Sequence, residues 1–175
     1  MIEIRIHGRG GQGNVAAAEL LSIAAFHDGK FAQAFPSFGA ERVGAPVQAF
    51  VRIDDKKIRT REDVLHPDYI IVQDYSLVEN VPVLDGLKPD GLLLVNSDKS
   101  PEELKLKTTA TVETIPATEI AIEIIGRPIP NAIMIGAFCS ITGLVSLEAV
   151  QELSLIHISE PTRLLRRSRM PSSAC

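Results

Sequence analysis

The sequence contains few aromatic residues and few cysteines. Phe, Tyr and Trp make up 5% of its 175 residues, and Trp is absent. The two cysteines, Cys139 and Cys175, have no CxxC partner and no histidine at metal-ligand spacing, which argues against metal or iron–sulfur binding by this chain. Cys139 lies in an apolar helical stretch and is therefore predicted to be a buried small residue.

Long apolar runs and a net positive charge are missing as well, and we expect no signal peptide. No stretch is long and apolar enough to span a bilayer, and the first residues are already typical of a strand. Of the 18 basic and 22 acidic side chains, four arginines and one glutamate follow residue 152, which leaves a net charge of −7 before it. Basic and aromatic residues are not interleaved. We therefore expect a cytoplasmic protein without a membrane or nucleic-acid partner.

The usual catalytic constellations are also absent. No serine or cysteine has the context of a nucleophile elbow, and no pair of carboxylates stands out. No histidine belongs to a triad or a metal motif: His27 is expected to end a helix and His66 to lie in a turn. We assign no catalytic residue, and this pattern suggests a domain that completes a site on another subunit.

The sequence does contain a glycine-rich stretch at residues 7–14. It follows a short apolar strand and opens a helix predicted over about residues 12–27. In a strand–turn–helix unit, main-chain N–H groups and a helix N-terminus converge on one point, which suits a phosphate or another anion. The candidate cofactor-binding residues here are Gly8, Arg9, Gly10, Gly11, Gln12, Gly13 and Asn14.

Two kinds of nucleotide site can be tested against this stretch. Three of its glycines satisfy GxGxxG. The second predicted strand, however, ends at Pro36 without the acidic residue that holds a ribose, and Asp28 lies before that strand. Asn14-Val15 stands where a P-loop requires Lys and Ser or Thr. The alternative is that the glycines only let the helix pack closely on the sheet.

A second candidate site lies in the connection over residues 35–46, which leaves the carboxyl end of the second strand. Glu41 and Arg42 are thus expected at the same edge of the sheet as the glycine-rich stretch, where open α/β sheets bind ligands. Both are candidate cofactor-binding residues; the alternative is a solvated loop in which they contact only water. Asp74 and Asn96-Ser97 follow later strands at the same edge.

Strand and helix patterns alternate along the rest of the chain. Strands are predicted over residues 47–53, 69–73, 92–95 and 108–115, and helices over residues 117–125 and 132–145. The first of these strands is expected to turn at Asp54-Asp55 into a hairpin with the segment at Ile58. We predict one α/β domain over residues 1–152, with a Rossmann-like, mostly parallel sheet, flanking helices and one antiparallel hairpin.

Residues 153–175 depart from this pattern. They interrupt a helix that begins after Ser146, and they carry four arginines with a single acid. A basic tail can bind nucleic acid or a partner, but this one looks like the in-frame translation of a sequencing adapter. We expect it to be a non-native tail, with the natural sequence after about residue 152 lost.

Three separated motifs resemble one protein family. They are the glycine-rich stretch followed by Ala16-Ala17, the run Phe38-Gly39-Ala40-Glu41-Arg42 with Gly44-Ala45-Pro46-Val47, and the NxxxxGA segment from Asn131 to Ala137. Together they are similar to the gamma subunit of 2-oxoacid:ferredoxin oxidoreductases, most of all pyruvate:ferredoxin oxidoreductase, over residues 1–152. Val43 stands where many members carry a second arginine.

The resemblance implies a subunit of a complex that converts pyruvate and coenzyme A to acetyl-CoA and CO2 and passes electrons to ferredoxin. Thiamine diphosphate would be held mainly by the alpha and beta subunits, and iron–sulfur clusters by the beta and delta subunits. The gamma subunit would form a wall near the active site, with the glycine-rich stretch and Arg42 facing an anionic ligand such as coenzyme A. 2-Oxoisovalerate and indolepyruvate stay open as alternative substrates.

Two other functions also stay open on sequence alone. One is a free-standing oxidoreductase with NAD(P) or a flavin, which would bind its nucleotide without other subunits. The other is a non-catalytic scaffold subunit, in which the glycine-rich stretch serves packing alone.

Overall fold

The computed structural model describes residues 1–37 and 44–151. Its elements in chain order are β1 (Ile2–Arg9), α1 (Asn14–His27), β2 (Phe31–Pro36), β3 (Pro46–Asp54), β4 (Tyr69–Val72), α2 (Ser76–Asn80), β5 (Leu92–Asn96), β6 (Thr111–Ile115), α3 (Ala117–Ile125) and α4 (Asn131–Thr142). Glu41, Arg42 and the tail lie outside the described residues, so their roles and the domain boundary near residue 152 stay predictions.

The six strands form a sheet in the order β2-β3-β1-β4-β5-β6. β1, β4, β5 and β6 run parallel to one another. β3 is antiparallel to both of its neighbours, β1 and β2. The α/β class, with a mostly parallel sheet and flanking helices, is therefore confirmed.

The antiparallel strand pairs with partners other than the predicted one. The hairpin with the segment at Ile58 is wrong, because residues 55–68 form no strand and β3 pairs with β1 and β2 instead. The physical reason is burial. Residues 49–53 are all buried, as in an interior strand that has a neighbour on each edge. Arg52 makes this strand look partly exposed in the sequence, but its guanidinium is buried too. Its Nε lies 2.8 Å from Glu3 Oε1.

Two helices, α1 and α4, cover one face of the sheet. The inward side of α1 is rich in alanine, which lets the helix approach the strands closely. Phe138 of α4 packs edge-on against Tyr69 of β4, with ring centroids 5.4 Å apart. A smaller core on the other face comprises Ile70, Val72, Leu77, Val83, Leu93, Val95 and Leu104.

Most predicted boundaries are confirmed to within a few residues. α3 spans the predicted residues, whereas β6 is shorter than predicted. α4 ends where Gly143 takes a φ of +62°. Ser146 begins the helical turn at residues 147–151, and its Oγ accepts the Ala149 N–H at 3.3 Å.

The described residues contain no helix long and apolar enough to cross a membrane. Nor do these ranges contain a group of three or more His, Cys, Asp or Glu side chains that could hold a metal ion. Cys139 is buried, as predicted, and burial raises the pKa of its thiol to about 12.

Candidate functional site

The glycine-rich stretch forms the turn between β1 and α1. Its main chain is anchored at two points, since Gly10 N donates to Ala45 O at 2.8 Å and Gly44 N donates to Gly10 O at 3.1 Å. Gly11 and Gly13 have φ values of +92° and +76°, a region that favours glycine. The turn is therefore fixed against the start of β3.

Two of the glycines lie against asparagine side chains that an added Cβ would displace. A Cβ on Gly8 would lie 2.0 Å from Asn14 Oδ1, and a Cβ on Gly13 would lie 2.4 Å from Asn131 Nδ2. Asn131 Nδ2 also donates to Gly13 O at 3.2 Å. Close packing explains these two glycines. It does not explain Gly11, which is exposed and where a Cβ would meet nothing within 4 Å.

The N-terminus of α1 is open. Gly13 occupies the N-cap position, no side chain caps the helix, and its first turn carries no acidic residue. The first N–H groups of a helix have no intrahelical acceptor and carry the positive end of the helix dipole. A cavity of about 250 Å³ lies here, the glycine-loop cavity, lined by Arg9, Gly10, Gly11, Gly13, Asn14, Val15 and Val47. Its donors suit an anion.

Arg9 and Gln12 tie the turn to the segment after β4. Arg9 Nε lies 3.0 Å from Asp74 Oδ2, and Arg9 Nη2 donates to Ser76 Oγ at 2.7 Å. Gln12 Oε1 accepts the Arg9 N–H at 2.7 Å, while Gln12 Nε2 donates to Asp74 Oδ2 at 3.1 Å. The geometry thus gives these two predicted binding residues a positioning role in the turn.

The charge of Arg9 is balanced within the protein. Burial by itself would raise the pKa of Asp74, but hydrogen bonds from Ser76 and Gln12, with the charge of Arg9, hold the pKa of this carboxyl below its ordinary value. Asp74 is therefore ionised at neutral pH and neutralises Arg9. The groups left to bind an anion in the glycine-loop cavity are therefore main-chain N–H groups more than a free guanidinium.

Asn14 supports the turn and is also one of the residues that line the glycine-loop cavity. It is 2% exposed, and its Nδ2 donates to Arg9 O at 3.3 Å. Its Oδ1 has no hydrogen-bond partner within residues 1–37 and 44–151. This oxygen is buried and lies against Gly8, so Asn14 supports the turn and does not present an acceptor to the glycine-loop cavity.

His7, the first residue of the stretch, is not placed as a base. Its Nε2 accepts a hydrogen bond from Arg5 Nε at 3.0 Å. Burial, reinforced by the charge of Arg5, lowers the pKa of the imidazole to about 3. Arg5 Nη2 donates in turn to Val83 O at 3.0 Å. His7 is thus a neutral acceptor in a buried network that supports β1.

A second cavity, of about 350 Å³, lies at the carboxyl ends of β4, β5 and β6. We call it the acidic cleft. The predicted edge residues Asp74, Asn96 and Ser97 all line it, so the sequence located this edge correctly. Asp98 and Glu119 add two further carboxylates, which sequence reasoning did not assign to a site.

Asn96 joins the strand ends at the base of the acidic cleft. Its Nδ2 donates to Gln73 O at 2.9 Å and to Thr118 Oγ1 at 2.7 Å, and its Oδ1 accepts the Thr118 N–H at 3.2 Å. The sequence analysis did not assign Gln73 or Thr118, the two partners of Asn96, to a site. Gln73 ends a predicted strand beside Asp74, and this position was the signal that could have assigned it to the site.

The topology also accounts for the incomplete dinucleotide signature. β3 lies between β1 and β2, so the tip of β2 is one strand further from the glycine-rich turn than in a dinucleotide-binding fold. Asp28 has a different partner, because its Oδ1 accepts the Ser146 hydroxyl at 2.6 Å. This geometry disfavours NAD(P) binding at the turn.

Comparison with known proteins identifies one family. Residues 3–157 match the family described as pyruvate ferredoxin/flavodoxin oxidoreductase. The chain is 58% identical over 151 residues to pyruvate synthase subunit PorC of Methanosarcina barkeri, covering 86% of this chain and 83% of that protein. It is 54% identical over 155 residues to the common gamma subunit of the pyruvate/ketoisovalerate oxidoreductases of Thermococcus kodakarensis, covering 87% and 84%.

A solved structure shares the fold. Pyruvate oxidoreductase subunit PORC (EC 1.2.7.1) of Thermotoga maritima matches with a TM-score of 0.78 at 40% identity, covering 94% of this chain and 89% of that chain. The resemblance seen in the sequence motifs is thereby confirmed. The chain belongs to the pyruvate ferredoxin/flavodoxin oxidoreductase family, as a gamma-type subunit of a 2-oxoacid:ferredoxin oxidoreductase complex.

Proposed function

We propose that this chain is the gamma subunit of a cytoplasmic pyruvate:ferredoxin oxidoreductase and that its glycine-loop cavity binds the phosphate groups of coenzyme A. The complex converts pyruvate and coenzyme A to acetyl-CoA and CO2, and the electrons pass to ferredoxin. Alpha, beta and delta subunits hold the thiamine diphosphate and the iron–sulfur clusters. The names of the relatives support pyruvate as the substrate, with ketoisovalerate as the second candidate.

The open N-terminus of α1 is the observation that carries the coenzyme A assignment. The glycine N-cap has no capping side chain, the first residues of the helix line the cavity, and no acidic residue is present among the residues that line it. Phosphate groups bind well at such a helix end, because the N–H groups and the helix dipole both favour negative charge. This chain then supplies binding and orientation, while its partners carry out the redox chemistry.

Val15 provides a clean test, because it lines the glycine-loop cavity in the first turn of α1. A carboxylate at this position interacts favourably with the helix dipole, so Val15→Glu should fold normally. The same carboxylate repels a bound phosphate by roughly 1–2 kcal/mol at an effective dielectric near 20. In the reconstituted complex we expect the KM for coenzyme A to rise about tenfold. Val15→Gln, of the same size without charge, is the control.

The two substrates report separately on this effect. The KM for pyruvate should stay unchanged in Val15→Glu, because pyruvate does not occupy the glycine-loop cavity. If the KM for coenzyme A stayed the same in both Val15 variants, the turn would serve packing alone and the coenzyme A assignment would be wrong.

The choice of 2-oxoacid is tested by comparing kcat/KM for pyruvate, 2-oxoisovalerate and indolepyruvate in the same complex. We expect pyruvate to give the highest value. A higher kcat/KM for either of the other acids would leave the family assignment unchanged, and that acid would replace pyruvate as the proposed substrate. A strong thermal shift of the isolated chain with NAD(P) or a flavin would instead favour a free-standing nucleotide-binding enzyme.

A further inference from the structure

Asp74 lies outside the glycine-loop cavity but binds two residues of the turn that forms it. It is not among the described residues that line this cavity. Its Oδ2 accepts hydrogen bonds from Arg9 Nε at 3.0 Å and from Gln12 Nε2 at 3.1 Å. Its Oδ1 accepts the main-chain N–H and the hydroxyl of Ser76, at 3.0 and 2.6 Å. Both oxygens of the carboxylate are therefore occupied, and one of them is occupied by the turn.

The register of the strands places Asp74 beside the turn. β1 and β4 are parallel, with His7 opposite Val72. Arg9 and Asp74 each follow two residues later, so they come level with each other at the ends of the two strands. On the other edge of β1, Arg9 lies opposite Pro46 of β3. Arg9 is thus positioned between Asp74 and the start of β3.

Arg9 carries the anchor across to the far side of the turn. Its Nη1 donates to Gly44 O at 2.9 Å, and Gly44 N donates in turn to Gly10 O at 3.1 Å. The main-chain N–H of Arg9 donates to Gln12 Oε1 at 2.7 Å. The side chains of Arg9 and Gln12 are therefore bound to Asp74 at one end and to the main chain in and around the turn at the other.

The composition of the turn makes such an anchor necessary. Residues 8–13 include four glycines, and glycine restricts the main chain less than any other residue. A site built from main-chain N–H groups binds an anion well when those groups are already in place, because ordering a loose segment on binding costs free energy. Side chains that hold the turn from outside the cavity therefore contribute to affinity without touching the ligand.

We propose that Asp74 is a positioning residue for coenzyme A binding. Through Arg9 and Gln12 it holds the glycine-rich turn in the shape that receives the phosphate groups. Arg9 and Asp74 act as one unit, in which the arginine serves the turn and not the phosphates. The inference rests on the proposed function and adds to it a residue outside the cavity on which the coenzyme A site depends.

Asp74→Ala removes both carboxylate oxygens and so releases the turn. In the reconstituted complex, the KM for coenzyme A should rise about tenfold, because part of the binding free energy is then spent on ordering the turn. The kcat at saturating coenzyme A and the KM for pyruvate should stay unchanged, since the chemistry takes place on other subunits. Asp74→Asn retains one acceptor oxygen, and its KM for coenzyme A should lie between those of the wild type and Asp74→Ala.

Asp68→Ala is the matched control, because Asp68 anchors the chain at the opposite end of β4. Its Oδ2 accepts the Glu3 N–H at 2.8 Å, and its Oδ1 lies 2.5 Å from Lys88 Nζ. Its side chain is 25% exposed, compared with 21% for Asp74. Asp68→Ala should lose a similar amount of stability and keep the wild-type KM for coenzyme A. An equal rise in this control would reduce the effect to general destabilisation and overturn the proposal.

A double-mutant cycle tests whether Asp74 acts through Arg9. Arg9→Met alone should raise the KM for coenzyme A, and adding Asp74→Ala to it should change the KM by about twofold or less. Full additivity would overturn the proposal. So would a lower KM in Asp74→Ala, because the released Arg9 would then be binding the phosphates itself.

Val15→Glu separates this inference from the proposed function. If Val15→Glu raised the KM for coenzyme A while Asp74→Ala and Asp74→Asn left it unchanged, the positioning role would be wrong and the coenzyme A assignment would stand. An unchanged KM in Val15→Glu would overturn both.

Discussion

The glycine-loop cavity and the acidic cleft lie at the same edge of one sheet and have opposite character. The first is lined by glycines, Arg9 and the uncapped start of α1, with no carboxylate. The second is lined by Asp74, Asp98 and Glu119. The Arg9–Asp74 ion pair connects them, since Arg9 lines the first and Asp74 the second. One sheet edge therefore carries two cavities that are lined by different chemical groups.

The start of the adjoining helix explains much of the difference. α1 begins at a glycine and leaves its first N–H groups without a side-chain acceptor. At α3, by contrast, Asn96 Oδ1 accepts the Thr118 N–H, and Glu119 lies in the first turn. A helix end attracts an anion when its donors are open and repels one when an acidic side chain occupies the same place. The strand edge positions a site, and the helix cap sets its charge preference.

The largest effect is expected from Gly13→Ala, which disturbs the glycine-loop cavity alone. Its φ of +76° disfavours a side chain, and the added Cβ would lie 2.4 Å from Asn131 Nδ2. Together these should lower the free energy of unfolding by about 2–4 kcal/mol, measured by chemical denaturation. Gly11→Ala, with a similar φ and open space around the Cβ, should lose only about 1 kcal/mol. Equal losses would show that the Asn131 contact does not constrain the turn.

The next largest effect on the free energy of unfolding is expected at the Arg9–Asp74 ion pair, which connects the two cavities. Asp74→Asn removes the charge that pairs with Arg9 and should lower the free energy of unfolding at neutral pH by about 1–2 kcal/mol. Because the folded-state pKa of Asp74 is depressed, the wild-type advantage is fully present above the unfolded pKa of about 3.9 and is lost as pH falls below it through the folded value. A difference between the two proteins that persisted undiminished in acid would contradict this ion-pair account.

The smallest effect is expected at the acidic cleft. Thr118→Val keeps the side-chain shape and removes the hydrogen bond from Asn96 Nδ2. We expect a loss of about 1 kcal/mol in the free energy of unfolding, with the KM for coenzyme A unchanged. A higher KM in this variant would show that the two cavities are energetically coupled.

Sequence reasoning succeeded where the signal was local. The glycine turn, α3 and the strands at β4 and β5 follow from glycine spacing and apolar periodicity over short windows. The buried state of Cys139 followed from the apolar stretch around it in the same way. These features depend on neighbours in the chain, which a single sequence displays directly.

Sequence reasoning failed where contacts between residues far apart in the chain decide the structure. The insertion of β3 between β2 and β1 depends on pairing across the sheet, and Arg52 concealed how buried that strand is. The contact of Asn131 with Gly13 joins residues 118 positions apart. The buried, unpaired carboxamide of Gln73 is visible only once its surroundings are known. Long-range contacts of this kind leave no period or spacing in the sequence.

Pantetheine provides the most direct test of the central claim, that the glycine-loop cavity binds the phosphate groups of coenzyme A. It carries the thiol of coenzyme A without the nucleotide phosphates. In the reconstituted complex, Val15→Glu should raise the KM for coenzyme A about tenfold and leave the KM for pantetheine unchanged, so that the preference for coenzyme A falls by about the same factor. If Val15→Glu raised both KM values equally, or neither, the phosphates would bind elsewhere and the claim would be wrong.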